Sequence, residues 1–328
     1  MFKSTLLTTL ILCLCCTGLQ AQQTDGEVCE VKPKKAAKPA NAWPKYAKMR
    51  FVEDYSHVAD AKPRDVFDSL KHISLGDDPD WYVSFGGQAR LRFEHYQNFN
   101  FGRPASNDDG YLLQRYFLHA DLHMGKLFRI FAEMRSAWAT DWGLTNPTAP
   151  HPTGFHDEFD IMNLFGELNF DLSDDLHSTI RAGRWEMNYG MGRMIGCRDW
   201  SQTRRPFDGA SIRLAKGKNW IDGFWAKWVE THQYEAFNSS DEDIASWGVY
   251  AHLAKGALPF NTELYLLGKD NTTGSRDDHR ISTGLRFFGD IAKTNFTFDI
   301  EGAYQFDYEG TDVEAGFFAA ELTYKFKQ

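Results

Sequence analysis

The sequence predicts an all-β fold, an antiparallel transmembrane β-barrel of about twelve strands. Three observations predict it: strict alternation of apolar and charged residues from Trp81 onward, a regular exchange of long and short connections, and no late apolar run long enough for a spanning helix. Alternation places an apolar set on one face of each strand and a charged set on the other. A wall with a charged inner face is tolerable in a membrane only around a polar interior.

Residues 1–21 read as a secretory signal peptide, with Lys3 as the positive end, Leu6 to Cys16 as the apolar core and Leu19-Gln20-Ala21 before the cleavage point. Its removal leaves Cys29 and Cys197 as the cysteines of the mature chain. Residues 22–80 differ in composition from the rest of the mature chain, with eight lysines against two arginines and the run KPKKAAKPA from Lys32. They read as a periplasmic linker whose second half, Tyr55 to Gly76, orders against the barrel. Residues 81–328 form the barrel.

In the first strand Val83, Phe85, Ala89, Leu91 and Phe93 alternate with Ser84, Gln88, Arg90, Arg92 and Glu94. The next sets Leu112, Tyr116, Leu118, Ala120, Leu122 and Met124 against Arg115, His119, Asp121 and His123. Phe128, Ile130, Ala132 and Met134 then alternate with Arg129, Glu133 and Arg135, and Met162, Leu164, Leu168 and Phe170 with Asn163, Glu167 and Asn169. The same pattern returns around Trp247–Leu253, Ile281–Phe287, Phe296–Phe306 and Phe318–Phe326. Long connections (97–110, 140–158, 190–206, 231–243, 269–278) exchange with short ones near Gly125, Asp174, Gly217, Gly256 and Gly289. External loops and periplasmic turns of an outer-membrane barrel alternate in this way, and a β-sandwich has no reason to.

The inward set is then Arg90, Arg92, Arg115, Arg129, Arg135, Arg181, Arg213, Arg280 and Arg286, interleaved with Glu94, Asp121, Glu133, Glu167, Asp299 and Glu301. These are the expected pore-lining residues. The wall is richest in arginine from Ile180 to Arg213, where seven arginines occur without a lysine. Arginine presents a planar fork of donors matched to carboxylates, so an anionic solute is the expected cargo. The alternative is that the arginines pair with the inward acids. Signal-peptide removal takes away Lys3 and no acid, so the net charge moves from −9 to −10, which excludes nucleic acid as a partner.

Other groupings are weaker. His119, Asp121 and His123 share a strand face and could reach one metal, and the loop with His156, Asp157, Glu158 and Asp160 could hold calcium, but lumen lining and a solvated loop are the preferred readings. No cofactor is expected. A hydrolytic site lacks its grouping: Ser201 has Asp199 but no histidine nearby in sequence, and no Gly-x-Ser-x-Gly occurs. A plugged structural or surface-binding barrel, or less readily a hydrolase, stands as the alternative to a pore.

WYVSFGGQARLRFE, IRAGRWEMNYGMGR and RRPFDGASIRL together resemble the alginate-export family of outer-membrane barrels, with Trp185 where that family usually has glutamine. The resemblance implies roughly eighteen strands, a bacterial outer-membrane location, outer-membrane lipid around the barrel, an acidic polysaccharide such as alginate as solute, and a periplasmic export partner. It also leads us to expect an incomplete barrel sequence, with no ladder between Val83–Phe93 and Phe318–Phe326. A further expectation concerns Gly183: the apolar residues are even-numbered up to Ala182 and odd-numbered from Trp185, so a β-bulge at Gly183 would keep Arg184 and Glu186 off the lipid face.

Expressed with its first 21 residues, the protein is expected in the outer membrane as a band whose gel mobility changes on heating. Recovery as a soluble periplasmic protein would end the barrel reading.

Overall fold

A computed structural model describes residues 43–59, 61–98, 109–140, 154–256, 258–273, 277–310 and 312–326. Three single-turn 3-10 helices (Arg50–Val52, Ser56–Val58, Asp68–Leu70) precede the strands. The strands are β1 (Ile73–Ser74), β2 (Trp81–Tyr96), β3 (Asp109–Met124), β4 (Phe128–Thr140), β5 (Asp157–Ser173), β6 (Leu176–Glu186) and β7 (Pro206–Lys216). They continue as β8 (Asn219–Val229), β9 (Ser240–Leu253), β10 (Asn261–Asn271), β11 (Asp278–Asp290), β12 (Phe296–Gly310) and β13 (Glu314–Tyr324). All thirteen lie in one sheet in chain order, each antiparallel to its neighbours. No described helix is long and apolar enough to cross a membrane. The fold class is therefore the predicted one: an all-β antiparallel wall with twelve long strands.

The alternation sorts the faces as expected. Leu91, Phe93, Leu118, Met134, Ile212, Phe318 and Leu322 are exposed on the outer surface, whereas Arg115, Phe131, Glu133, Arg135, Phe165 and Glu167 are buried inside. Period-two side-chain direction explains both sets at once. Among the described residues no ladder joins β13 to β2: β13 pairs with β12, and β1 covers only Tyr82 and Val83 of the other edge of β2.

Two details of the pattern need correction. Met162, which alternation groups with the outward residues, is completely buried. The β4–β5 register runs Glu133 to Asn163 and then Met134 to Ile161, so Met162 is the extra residue of a bulge and turns inward. The bulge expected at Gly183 is absent. Pairing runs unbroken through Gly183 on both sides, to Phe165 of β5 and to Gly209 of β7. Trp185 and Met187 instead join an apolar cluster on the inner side with Phe51, Phe131, Phe165, Phe207 and Phe224. Arg184 engages Asp208 at 2.7 Å and donates to the Asn238 carbonyl at 2.8 Å, so its charge is paired at the end of the strand.

Glycine is needed at 183 for another reason. Its φ is +127°, and a Cβ there would lie 2.3 Å from the Leu164 carbonyl oxygen. Gly183→Ala is expected to lower the urea-unfolding midpoint by the equivalent of about 1–3 kcal/mol, the usual cost of a strained backbone. A midpoint equal to that of the parent would show that β5 and β6 can separate there freely.

Candidate functional site: a lumen closed by charge pairs

Charged side chains such as Arg115, Glu133, Arg135 and Glu167 are buried on one face of the strands, and little of that charge is bare. Two segments fold onto it. The first is residues 43–59 and 61–72, which precede β1. Phe51 packs edge-on against the stacked rings of Phe131 and Phe165, at 5.9 Å and 5.3 Å between centroids, with the Arg181 guanidinium 4.7 Å over its face. Arg129 donates to the Phe51 carbonyl at 2.7 Å. Further along, Lys71 Nζ donates to the Phe85 carbonyl at 2.9 Å, and His72 stacks on Tyr82, which stacks on His123.

The second segment is the β6–β7 connection, 187–205. The sequence makes it an external loop; it turns back and lies along the inside of the wall. On one side Arg90 donates to the carbonyls of Asp199 and Ser201, both at 3.2 Å, and to Gln202 Oε1 at 2.8 Å. Arg115 meets the Asp199 carboxylate at 3.0 Å, and Arg92 donates to the Trp200 carbonyl at 3.1 Å. On the opposite side Arg193 pairs with Glu301 at 2.6 Å, with Asp299 at 3.2 Å and with Glu321. The two segments meet where Arg204 donates to the Lys48 carbonyl at 3.0 Å. Arg204 itself holds a left-handed backbone (φ +59°), as does Arg198 (φ +54°), uncommon for residues other than glycine.

The remaining predicted lining residues are also partnered. Arg129 bonds Asp121 and Glu167, at 2.8 Å and 3.0 Å, and Arg181 bonds Glu167. Arg135 is locked between Asp157 and Asp160. Arg213 pairs with Asp222 at 2.6 Å, Arg280 with Asp278, Arg286 with Glu263 and Asp299, and Arg92 with Glu94 at 2.7 Å. Glu133 accepts from Asn163 at 2.9 Å. Most of these acids are thus paired with the arginines. The pairing acids Asp222 and Glu263, together with Arg193 and Arg204, are not among the lining residues read from the sequence. The arginine-rich stretch contained Arg193 and Arg204, but nothing in the spacing says that the loop turns inward.

The groupings considered for metals resolve into ordinary pairs. His123 faces Asp121 at 3.2 Å and His119 faces Glu133 at 3.5 Å, while Asp157 and Asp160 are held by Arg135. Among the described residues no three His, Cys, Asp or Glu side chains gather as a metal site.

A comparison with protein families finds one described as alginate export, matching residues 81–328, three quarters of the chain. The chain belongs to the alginate export family. No curated protein matches it. Membership in the alginate export family implies outer-membrane export of an alginate-like polysaccharide, in a family of transport proteins and not of enzymes.

Asp199 ties the inward loop of this family member to Arg115 and lies beside Arg204. Burial alone would raise its carboxyl, but the Arg204 and Arg115 guanidiniums outweigh it and hold the group below the usual carboxylate range. Its contribution to seating the loop is therefore complete above the ordinary aspartate value of about 3.9 and is lost as pH falls through the lower folded value. We expect the loop to release only in strong acid, and Asp199→Asn to loosen it at neutral pH and flatten that acid limb. The emission of the neighbouring Trp200, isolated by comparison with Trp200→Phe, would report the release. A pH profile identical in Asp199→Asn would rule Asp199 out as the tie.

Proposed function

We propose that this protein is an outer-membrane pore that passes an anionic polysaccharide, alginate-like in its carboxylated sugars, along an arginine-lined lumen. The observation that supports this most directly is that Arg90, Arg92, Arg115, Arg129, Arg135, Arg181, Arg213, Arg280 and Arg286 all fall on strands of the same wall, at inward-alternating positions. Family membership supplies the substrate class. In this reading the outer apolar set contacts outer-membrane lipid, and a periplasmic partner presents the chain at the short-turn end.

Wall charge acts on a solute over roughly a Debye length, about 8 Å at physiological salt. The acids at the start of β9, Asp241, Glu242 and Asp243, therefore weigh less on passage than charges along the lumen wall. This allows anion preference in a chain of net charge −9.

One observation favours a second reading, a filled barrel with a structural or surface-binding role. The apolar cluster around Phe51, Trp185 and Phe224 occupies the inner side of β4 to β10. Planar-bilayer recordings under a salt gradient decide between the two. The pore reading expects conductance with a reversal potential on the anion side. Cation preference would overturn the anionic solute, and absence of conductance would favour the filled barrel.

A further inference from the structure

Thirteen of the sixteen described arginines lie within 4 Å of a carboxylate. The exceptions are Arg90, Arg198 and Arg205, and all three meet at one place, the inward loop. Arg90 is occupied by loop carbonyls and Gln202. Arg198 and Arg205 have neither an acid nor a hydrogen-bond acceptor for their guanidiniums among the described residues. Their side chains are held by aromatic faces instead: Arg198 sits 4.9 Å over Trp200 and Arg205 sits 4.0 Å over Trp228.

The backbone keeps the two arginines together. Arg205 N donates to the Cys197 carbonyl at 3.1 Å, and Ser201 N donates to the Arg198 carbonyl at 2.9 Å, so 198 and 205 stand at the base of one closed turn. Burial, and then the charge of Arg198, bring Arg205 down to about 10. Two like charges held together without a counter-ion are an unfavourable arrangement unless an anion completes it. Trp200 at the tip of the turn is 64% exposed, although it is a large apolar ring inside a wall that buries most of its others.

Each of these features matches one part of a uronic acid residue. A guanidinium fork takes a carboxylate in two parallel hydrogen bonds, and an exposed indole offers a flat apolar surface to the C–H face of a pyranose. We propose that Arg198 and Arg205, with Trp200 and Trp228, form a carboxylate-binding subsite for a uronate residue of the passing polysaccharide. The choice of uronate rests on the proposed passage of an acidic polysaccharide. The subsite also divides the labour among the arginines: the paired ones build the wall and the two unpaired ones read the cargo.

The test uses the full-length protein in planar bilayers, with an oligouronate six residues long added to the bath and a neutral hexaose as control. In the parent protein the oligouronate is expected to interrupt single-channel current and the neutral sugar is not. Arg198→Gln/Arg205→Gln is expected to shorten the blocked time about tenfold, equivalent to about 1.4 kcal/mol, with heat-modifiable assembly retained. Lys227→Gln, which removes a charge from the Glu242 pair, should leave the blocked time unchanged. If the double variant fails to assemble, Trp200→Ala carries the same comparison. Blocked times unchanged in these variants, equal block by the neutral hexaose, or no block of the parent would each overturn the subsite. The two proposals fail separately: cation preference with arginine-dependent block overturns the anion-selective passage and keeps the subsite, and anion preference with arginine-independent block does the reverse.

Discussion

The structure depends on satisfying guanidinium groups that the strand period forces to the inside. Once Arg115 and Arg135 are buried, each must find a partner, because an uncompensated buried charge costs about 3–5 kcal/mol. A hydrogen bond to a charged group returns only about 1.5–3 kcal/mol, so several are needed per side chain. The strand acids supply part of this. The rest comes from main-chain carbonyls of Phe51, Asp199, Ser201 and Thr203, which can reach the wall only if their segments fold inside it. Arginine demand on the wall and the inward course of two irregular segments are the same fact seen from opposite sides.

The outer surface obeys a simpler rule. Its backbone groups are satisfied by the antiparallel ladder and its side chains are apolar, so sequence alternation alone determines it. That is why the strands and their order could be read directly from the sequence. The Gly183 error came from extending the same rule past its range. Trp185 and Met187 are apolar yet face inward, since the lumen at that level is a packed interior into which Phe51 is inserted. An apolar residue signals burial, and alternation cannot say whether protein or the outside does the burying.

What the sequence concealed shares one property: it depends on contacts between residues far apart in the chain. Arg193 meets Glu301, and Arg204 meets Lys48, through segments with no periodicity of their own. The density of arginine between Ile180 and Arg213 marked the right region, but a count of charges does not distinguish Arg204, paired with Glu186 at 2.6 Å, from Arg205, one residue on, whose guanidinium among the described residues meets the Trp228 ring and no acid. The difference between a structural and an available guanidinium lies in the partner, and the partner is set by the fold.

Arg193 has a mechanical meaning beyond its pairing. It belongs to a loop anchored through Arg90 and Arg92 near one edge of the sheet, yet it grips Asp299, Glu301 and Glu321 on β12 and β13 near the other. The loop thus works as a cross-brace spanning the concavity, with Arg193 as its charged far fastening. A sheet braced in this way cannot change its curvature without stretching the brace, so the bore of the lumen and the seating of the loop are one degree of freedom.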